Sequence, residues 1–205
     1  DKDEVIKQLL FGIRRMGLGA LNWEKGADLF RKRTNLINAY LKDPLPNLTD
    51  EALLDNLEVW LGPYLNDIFS IASVRKLDLK SILMNIMSRE QIMLLDKLAP
   101  LYCQVPSGSS IAIDYDTDPP TLSVKLQEMF GANKTPTILD GKLKLRIHLL
   151  SPAKRPLQIT EDLAGFWDNS YPEIRKEMKG RYPKHPWPDD PHQALPTKKL
   201  NRKNK

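Results

Sequence analysis

The apolar residues of this 205-residue chain change their period once, near residue 100, and that change limits the fold more than any other feature. Before it they recur every three to four positions. Val5, Ile6, Leu9, Leu10, Ile13 and Met16 share one helical face and stop at Gly17, the residue type that most easily takes a left-handed cap. A second helix is expected from Trp23 through Leu29, Phe30, Leu36, Ile37, Tyr40 and Leu41, until DPLPN breaks it. Thr49, followed by Asp50 and Glu51, opens a third carrying Leu53, Leu54, Leu57, Trp60 and Leu61. Leu79, Ile82, Leu83, Ile86 and Met87 mark another. Ser88-Arg89-Glu90-Gln91 has capping-box spacing for a last helix ending near Pro100.

Beyond residue 100 the period falls to two. Ile111, Ile113 and Tyr115 alternate with polar or small residues, as do Leu122, Val124 and Leu126, and then Leu143, Leu145, Ile147 and Leu149. Alternation of this kind predicts half-buried strands, with turns at TDPP and ILDGK, where Asp140-Gly141 is the stronger hairpin signal. After the Pro-rich SPAKRP, Thr160 is expected to begin a helix through Leu163, Phe166 and Trp167. A last helix is expected from about Tyr171 to Lys179, with Pro172 in its first turn and Gly180 closing it. The expected fold is therefore α+β. A helical region covers residues 1–100. Residues 101–191 form a small, mostly antiparallel sheet with a packed C-terminal helix and a Pro-rich strap, and 192–205 a basic disordered tail.

Several functions are excluded at this level. No apolar run approaches the roughly 18 residues of a membrane span, and DKDEVIKQLL is a charged helix opening, so a cytoplasmic setting without membrane contact is expected. Cys103 is the single cysteine, which rules out an intrachain disulfide or a thiolate metal cluster. The phosphate-cradling pattern G-x-x-x-x-G-K-[ST] is absent, and Asp50-Glu51-Ala52 opens a helix where a nucleotide-site acidic pair would end an apolar strand. Ser151 and Lys154 have S-x-x-K spacing without the partner motifs, and nothing local joins Cys103 to His148. His185 and His192 bracket Asp189 and Asp190, nitrogen and oxygen donors suited to zinc, but the prolines between them restrict convergence. No catalytic, cofactor or metal residue is assigned.

What remains is charge. Residues 1–100 carry fourteen Lys and Arg against fourteen Asp and Glu, residues 101–153 five against five, and residues 154–205 twelve against seven, so the whole net charge of +5 lies in the last segment. Clustered cations gain affinity for polyanions by releasing condensed counterions. The candidates for backbone contact with nucleic acid, RNA or single strands, are Lys154, Arg155, Arg175, Lys176, Lys179, Arg181, Tyr182, Lys184, Lys198, Lys199, Arg202 and Lys203. In EMKGRYPKHPWPDDP, Tyr182 and Trp187 could stack on bases or could pin a proline-stiffened strap to the domain. Trp187 is expected to be mainly buried.

The segments LLSPAKRPLQIT, DLAGFW and KEMKGRYPKHPWPDDP resemble the C-terminal region of the HrpB family of bacterial DEAH-type ATP-dependent helicases. LFGIRRMGL with ALNW, VPSGS before a strand, and LQEMFG followed by PTI extend the resemblance over nearly the whole chain. It implies a helicase-associated region belonging with motor domains on the same polypeptide. The ATP, the magnesium and the hydrolysis would lie in that motor, because the family's nucleotide-binding residues have no counterparts here. The chain itself is then expected to be a non-catalytic accessory module. It either contacts the nucleic-acid backbone or docks onto the motor or a protein partner without touching nucleic acid.

Overall fold

The structure, a computed structural model, describes residues 2–42 and 44–198, which fall into two compact units, Asp1–Ala99 and Pro100–Lys205. The first is helical: α1 (Lys2–Met16), α2 (Lys25–Tyr40), α3 (Asp50–Asp55), α4 (Leu57–Trp60), α5 (Ile71–Val74), α6 (Leu79–Met84) and α7 (Arg89–Leu98), with short 3-10 turns at Leu18–Ala20 and Gly62–Tyr64. Thr49 caps α3 by accepting from the Ala52 amide, and Ser88 and Gln91 form the full capping box on α7. The helix expected from Thr49 to Leu61 is broken at Asn56, whose side chain donates to the Ala52 carbonyl at 2.8 Å and competes with the helical ladder. The one expected through Met87 ends at Met84.

The loop after α2 is held by asparagines of that helix. Asn38 donates to the carbonyls of Leu45 and Pro46 at 3.0 and 3.3 Å, and Asn35 accepts from the Leu48 amide at 3.1 Å. Arg31 lies over the Trp23 ring at 4.3 Å and donates to the Leu48 carbonyl. Ile13, Ile37, Leu57, Leu61, Leu65 and Leu83 fill the centre of this unit with no exposed surface.

The second unit holds a five-stranded sheet in the order β1 (Tyr102–Gln104), β2 (Ser110–Asp114), β3 (Thr121–Lys125), β6 (Arg146–Leu150), β7 (Pro156–Thr160), and a hairpin of β4 (Thr137–Ile138) with β5 (Leu143–Lys144). Every pair is antiparallel except β3 with β6, which run parallel across the connection that contains a 3-10 turn (Leu126–Met129) and the hairpin. The α+β architecture, helical first and then a small mostly antiparallel sheet, is the one the change of period requires. The hairpin turn runs from Leu139 to Lys142, with Leu139, Asp140 and Gly141 all at positive φ, so it begins one residue before Asp140-Gly141.

Three local expectations are corrected. Thr160 ends β7, and it is Asp162 that opens α8 (Leu163–Asn169), accepting from the Gly165 amide at 3.1 Å. α9 (Tyr171–Arg181) runs through Gly180, because the Tyr182 amide still reaches the Met178 carbonyl at 2.7 Å; Pro172 does sit in its first turn. Residues 192–198, expected to begin a structureless tail, are tied down. The Gly131 amide donates to the Pro191 carbonyl at 2.9 Å, the Thr197 amide to the Gln127 carbonyl at 2.9 Å, and His192 bonds Asn133 and, at 2.8 Å, Asp168. Gly131, at φ +80, has its α-carbon so near the strap that a side chain there would meet the Ala194 carbonyl at 3.2 Å.

Phe130, Phe166, Trp167 and Tyr171 form one aromatic cluster with centroids 4.9–6.4 Å apart, mostly edge to face. The Trp167 indole donates to the Ala132 carbonyl at 2.8 Å, so burial of this ring leaves no orphan donor. Among the described residues no helix is long and apolar enough to cross a membrane.

Candidate nucleic-acid interface

The C-terminal strap is anchored through its backbone. Trp187 is 7% exposed and its indole donates to the Tyr182 carbonyl at 2.9 Å. Arg175 donates from Nε to the Trp187 carbonyl at 2.9 Å and pairs with Asp189, while the Tyr171 hydroxyl donates to the Pro188 carbonyl at 2.9 Å. Burial of Tyr171 pushes its phenol well above the ordinary range, which keeps it a donor. Of the two readings of Trp187, the structure shows the anchor.

The predicted cations separate by environment. Arg175 is committed to the strap, and Arg181 pairs with Glu177 one turn back at 3.3 Å. Tyr182 is half-buried, edge-on to His185 with centroids 6.1 Å apart. Lys154, Arg155, Lys176, Lys179, Lys184 and Lys198 are exposed, Lys176 and Lys179 three positions apart on the outer side of α9. Lys199, Arg202 and Lys203 lie outside the described residues.

Strand register shows which of these come together. Lys125, at the end of β3, lies opposite Leu150 at the end of β6, which lies opposite Pro156 at the start of β7. The 151–155 turn, fixed by the Ser151 hydroxyl accepting from the Arg155 amide at 3.1 Å, therefore closes the sheet at its Lys125 end and carries Lys154 and Arg155 there. The strap passes the same end, where the Thr197 amide donates to the Gln127 carbonyl at 2.9 Å, two residues beyond Lys125. The imidazole of His185 is held below its usual pKa first by desolvation and then by the nearby Lys125 ammonium. Glu128, close by in sequence, is turned inward, accepting from Ser107 at 2.8 Å and from Ser109. At the other end of the sheet stand Asp114, opposite Thr121, then Asp116 and Asp118 in the β2–β3 connection, while Arg146 pairs with Glu161 at 2.9 Å. The sheet is thus basic at one end and acidic at the other.

Lys125 was missed by sequence reasoning. It sits in the charge-balanced stretch before residue 154, and only its proximity to the strap sets it apart.

The zinc reading of the two histidines dissolves into local structure. Asp189 pairs with Arg175, Asp190 accepts from the His192 amide, and among the described residues no three His, Cys, Asp or Glu side chains converge. Ser151 is buried in its turn, and desolvation raises the pKa of Cys103, which suits an inert thiol.

Residues 60–191 match the family model described as ATP-dependent helicase C-terminal, HrpB type. The chain belongs to the HrpB helicase C-terminal family. It is 44% identical over 203 residues to the ATP-dependent RNA helicase HrpB of Escherichia coli strain K12, a match that covers 98% of this chain and 25% of that protein. It is also similar to the crystal structure of the E. coli DExH-box NTPase HrpB, with a TM-score of 0.88 and 44% identity over 96% of this chain and 24% of that one. A second crystal structure, of the E. coli DEAH/RHA helicase HrpB, gives 0.76 and 42% over 91% and 24%. The chain spans about a quarter of the length of the HrpB proteins it matches. The pattern G-x-x-x-x-G-K-[ST] is absent from its sequence.

Proposed function

We propose that this chain is the non-catalytic accessory region of an ATP-dependent RNA helicase and that it adds a sequence-independent grip on the nucleic-acid backbone. ATP and magnesium belong, on this reading, to motor domains of a longer polypeptide. The observation that carries the proposal is the gathering of Lys125, Lys154, Arg155 and the Lys184–His185 part of the strap at one end of the sheet, away from Asp114, Asp116 and Asp118. Lys176 and Lys179 extend the positive surface along α9. Lys198, Lys199, Arg202 and Lys203 are proposed from their charge. Contacts of this type position a strand without reading its bases.

The test is a titration of the chain with single-stranded RNA at several salt concentrations. Reversing Lys125, Lys154, Arg155 and Lys184 to Glu together is expected to weaken binding more than tenfold at low salt. The slope of log affinity against log salt should shrink by about 2–3, at roughly 0.7 per lost phosphate contact on single strands. Absence of binding by the unaltered chain, or an unchanged slope in the variant, would overturn it.

A second reading has its own observation. In the helical unit Val59, Phe69, Met93 and Phe11 are 75, 65, 64 and 55% exposed, and Phe69 lines a cleft of about 260 Å³ with Glu4, Val5, Gln8 and Leu9. Phe69, exposed beside that cleft, suits a docking surface for the motor. Phe69→Asp in the full-length helicase should then reduce RNA-stimulated ATP hydrolysis and leave RNA binding by the present chain unchanged. Unaltered hydrolysis would remove this reading.

A further inference from the structure

The five-stranded sheet keeps one face open. Tyr102 lies opposite Ala112, Ser123 opposite His148, and His148 opposite Ile159. Continuing the β2–β3 register one step beyond Ile113–Leu122 sets Ala112 opposite Ser123. Tyr102, Ala112, Ser123, His148 and Ile159 therefore form one row across all five strands, on the side away from the buried Ile113, Leu122, Val124, Ile147 and Leu149. Tyr102 is 57% exposed, Ile159 54%, Ala112 and Ser123 are exposed, and His148 is half-buried. Two rings flank a floor of small side chains. At about 4.8 Å per strand, the Tyr102 and His148 positions stand about 14 Å apart. Lys125 is the next outward residue along β3 from Ser123, about 6.6 Å further on.

We propose that this face carries a single nucleic-acid strand, with bases stacked on Tyr102 and His148 and the backbone led over Lys125 toward Lys154, Arg155 and Lys184. The inference rests on the proposed nucleic-acid role and adds a site and a strand preference to it. Every base offers a flat π-face, so stacking on rings is tolerant of sequence, and a duplex hides those faces. Charge complementarity selects this occupant and its path. Phosphates are favoured at the Lys125 end and disfavoured at the end carrying Asp114, Asp116 and Asp118. A protein partner would be expected to meet large apolar or aromatic residues in the middle of its footprint, where Ala112 and Ser123 stand instead.

The decisive measurement uses the 205-residue chain and a short fluorescein-labelled oligouridylate at low salt, with an RNA duplex of the same length as comparison. Tyr102→Ala and His148→Ala are each expected to bind the oligouridylate about tenfold more weakly, with the salt slope kept and duplex binding little changed. Tyr102→Phe should bind as the parent does. In Tyr102→Trp the indole fluorescence should be quenched as the oligonucleotide is added, a sign of stacking that a loss of folding cannot imitate. If the parent binds with a normal salt slope while both Ala variants match it and the Trp variant is not quenched, the stacking face is wrong and the backbone grip stands. If the parent itself does not bind, both fail.

Discussion

Trp187→Ala is expected to lower the stability of the unit from Pro100 onward by about 3–5 kcal/mol, the usual cost of deleting a buried large ring. The ring is 7% exposed, and its loss also removes the 2.9 Å bond to the Tyr182 carbonyl. Among the described residues of the strap Pro191 is the only other one that is buried. The site has little means of collapsing, because the adjoining Pro186 and Pro188 fix the backbone on either side. Urea unfolding followed by tryptophan fluorescence would give the loss, and limited proteolysis should show new cleavage between residues 183 and 198. Trp187→Phe, which keeps most of the apolar surface and gives up the hydrogen bond, should cost about 1–2 kcal/mol. RNA affinity should fall with Trp187→Ala as well, because Lys184 and His185 reach the sheet only on the strap. An affinity that survives the loosened strap would leave Trp187 an anchor and take the strap out of the interface.

Arg33→Met is the other large effect, in the helical unit. The Arg33 side chain is 5% exposed, donating from Nε to the Ala99 carbonyl at 2.6 Å and from its terminal nitrogen to Asp96 at 2.6 Å. Ala99 has no exposed surface, so removal of the guanidinium leaves its carbonyl without that donor, at roughly 1–3 kcal/mol. Losing a buried ion pair can cost about 3–5 kcal/mol, but Asp96 is 63% exposed and regains water once released. We therefore expect about 2–3 kcal/mol for Arg33→Met by urea unfolding, and under 1 kcal/mol for Asp96→Asn, since the exposed partner contributes little. Equal losses for the two variants would show that the carboxylate, not the carbonyl, is the partner that matters.

The helices were readable because their signals are local. Thr49 and Ser88 act on amides three residues away, and the apolar stripe of α1 needs only its own sequence. β2, β3 and β6 declared themselves through alternation, as one face of each is buried. β7 and β1 did not, for a physical reason. Both are edge strands, and their residues are half-buried or exposed throughout, so neither face writes an apolar period into the sequence. β7 is also preceded by SPAKRP, which reads as a linker. The order of residues 192–198 was hidden for a different reason, since it depends on the amides of Gly131 and Thr197 and on His192, not on any pattern. Lys125 belongs to the same class. Net charge pointed to the tail beyond residue 154, and only the strand pairing and the path of the strap bring Lys154, Lys184 and a lysine from the neutral stretch to one place.

The strap is held by main-chain groups, through the carbonyls of Trp187, Pro188 and Pro191 and the amide of Thr197, together with the side chains of Trp187, Asp189 and His192. The side chains of Lys184, Gln193 and Leu195 are exposed. Fold and affinity are consequently written on different atoms of the same segment. On the proposed backbone grip, a change of charge at position 184 would retune grip strength and salt tolerance while the path of the chain stays as it is.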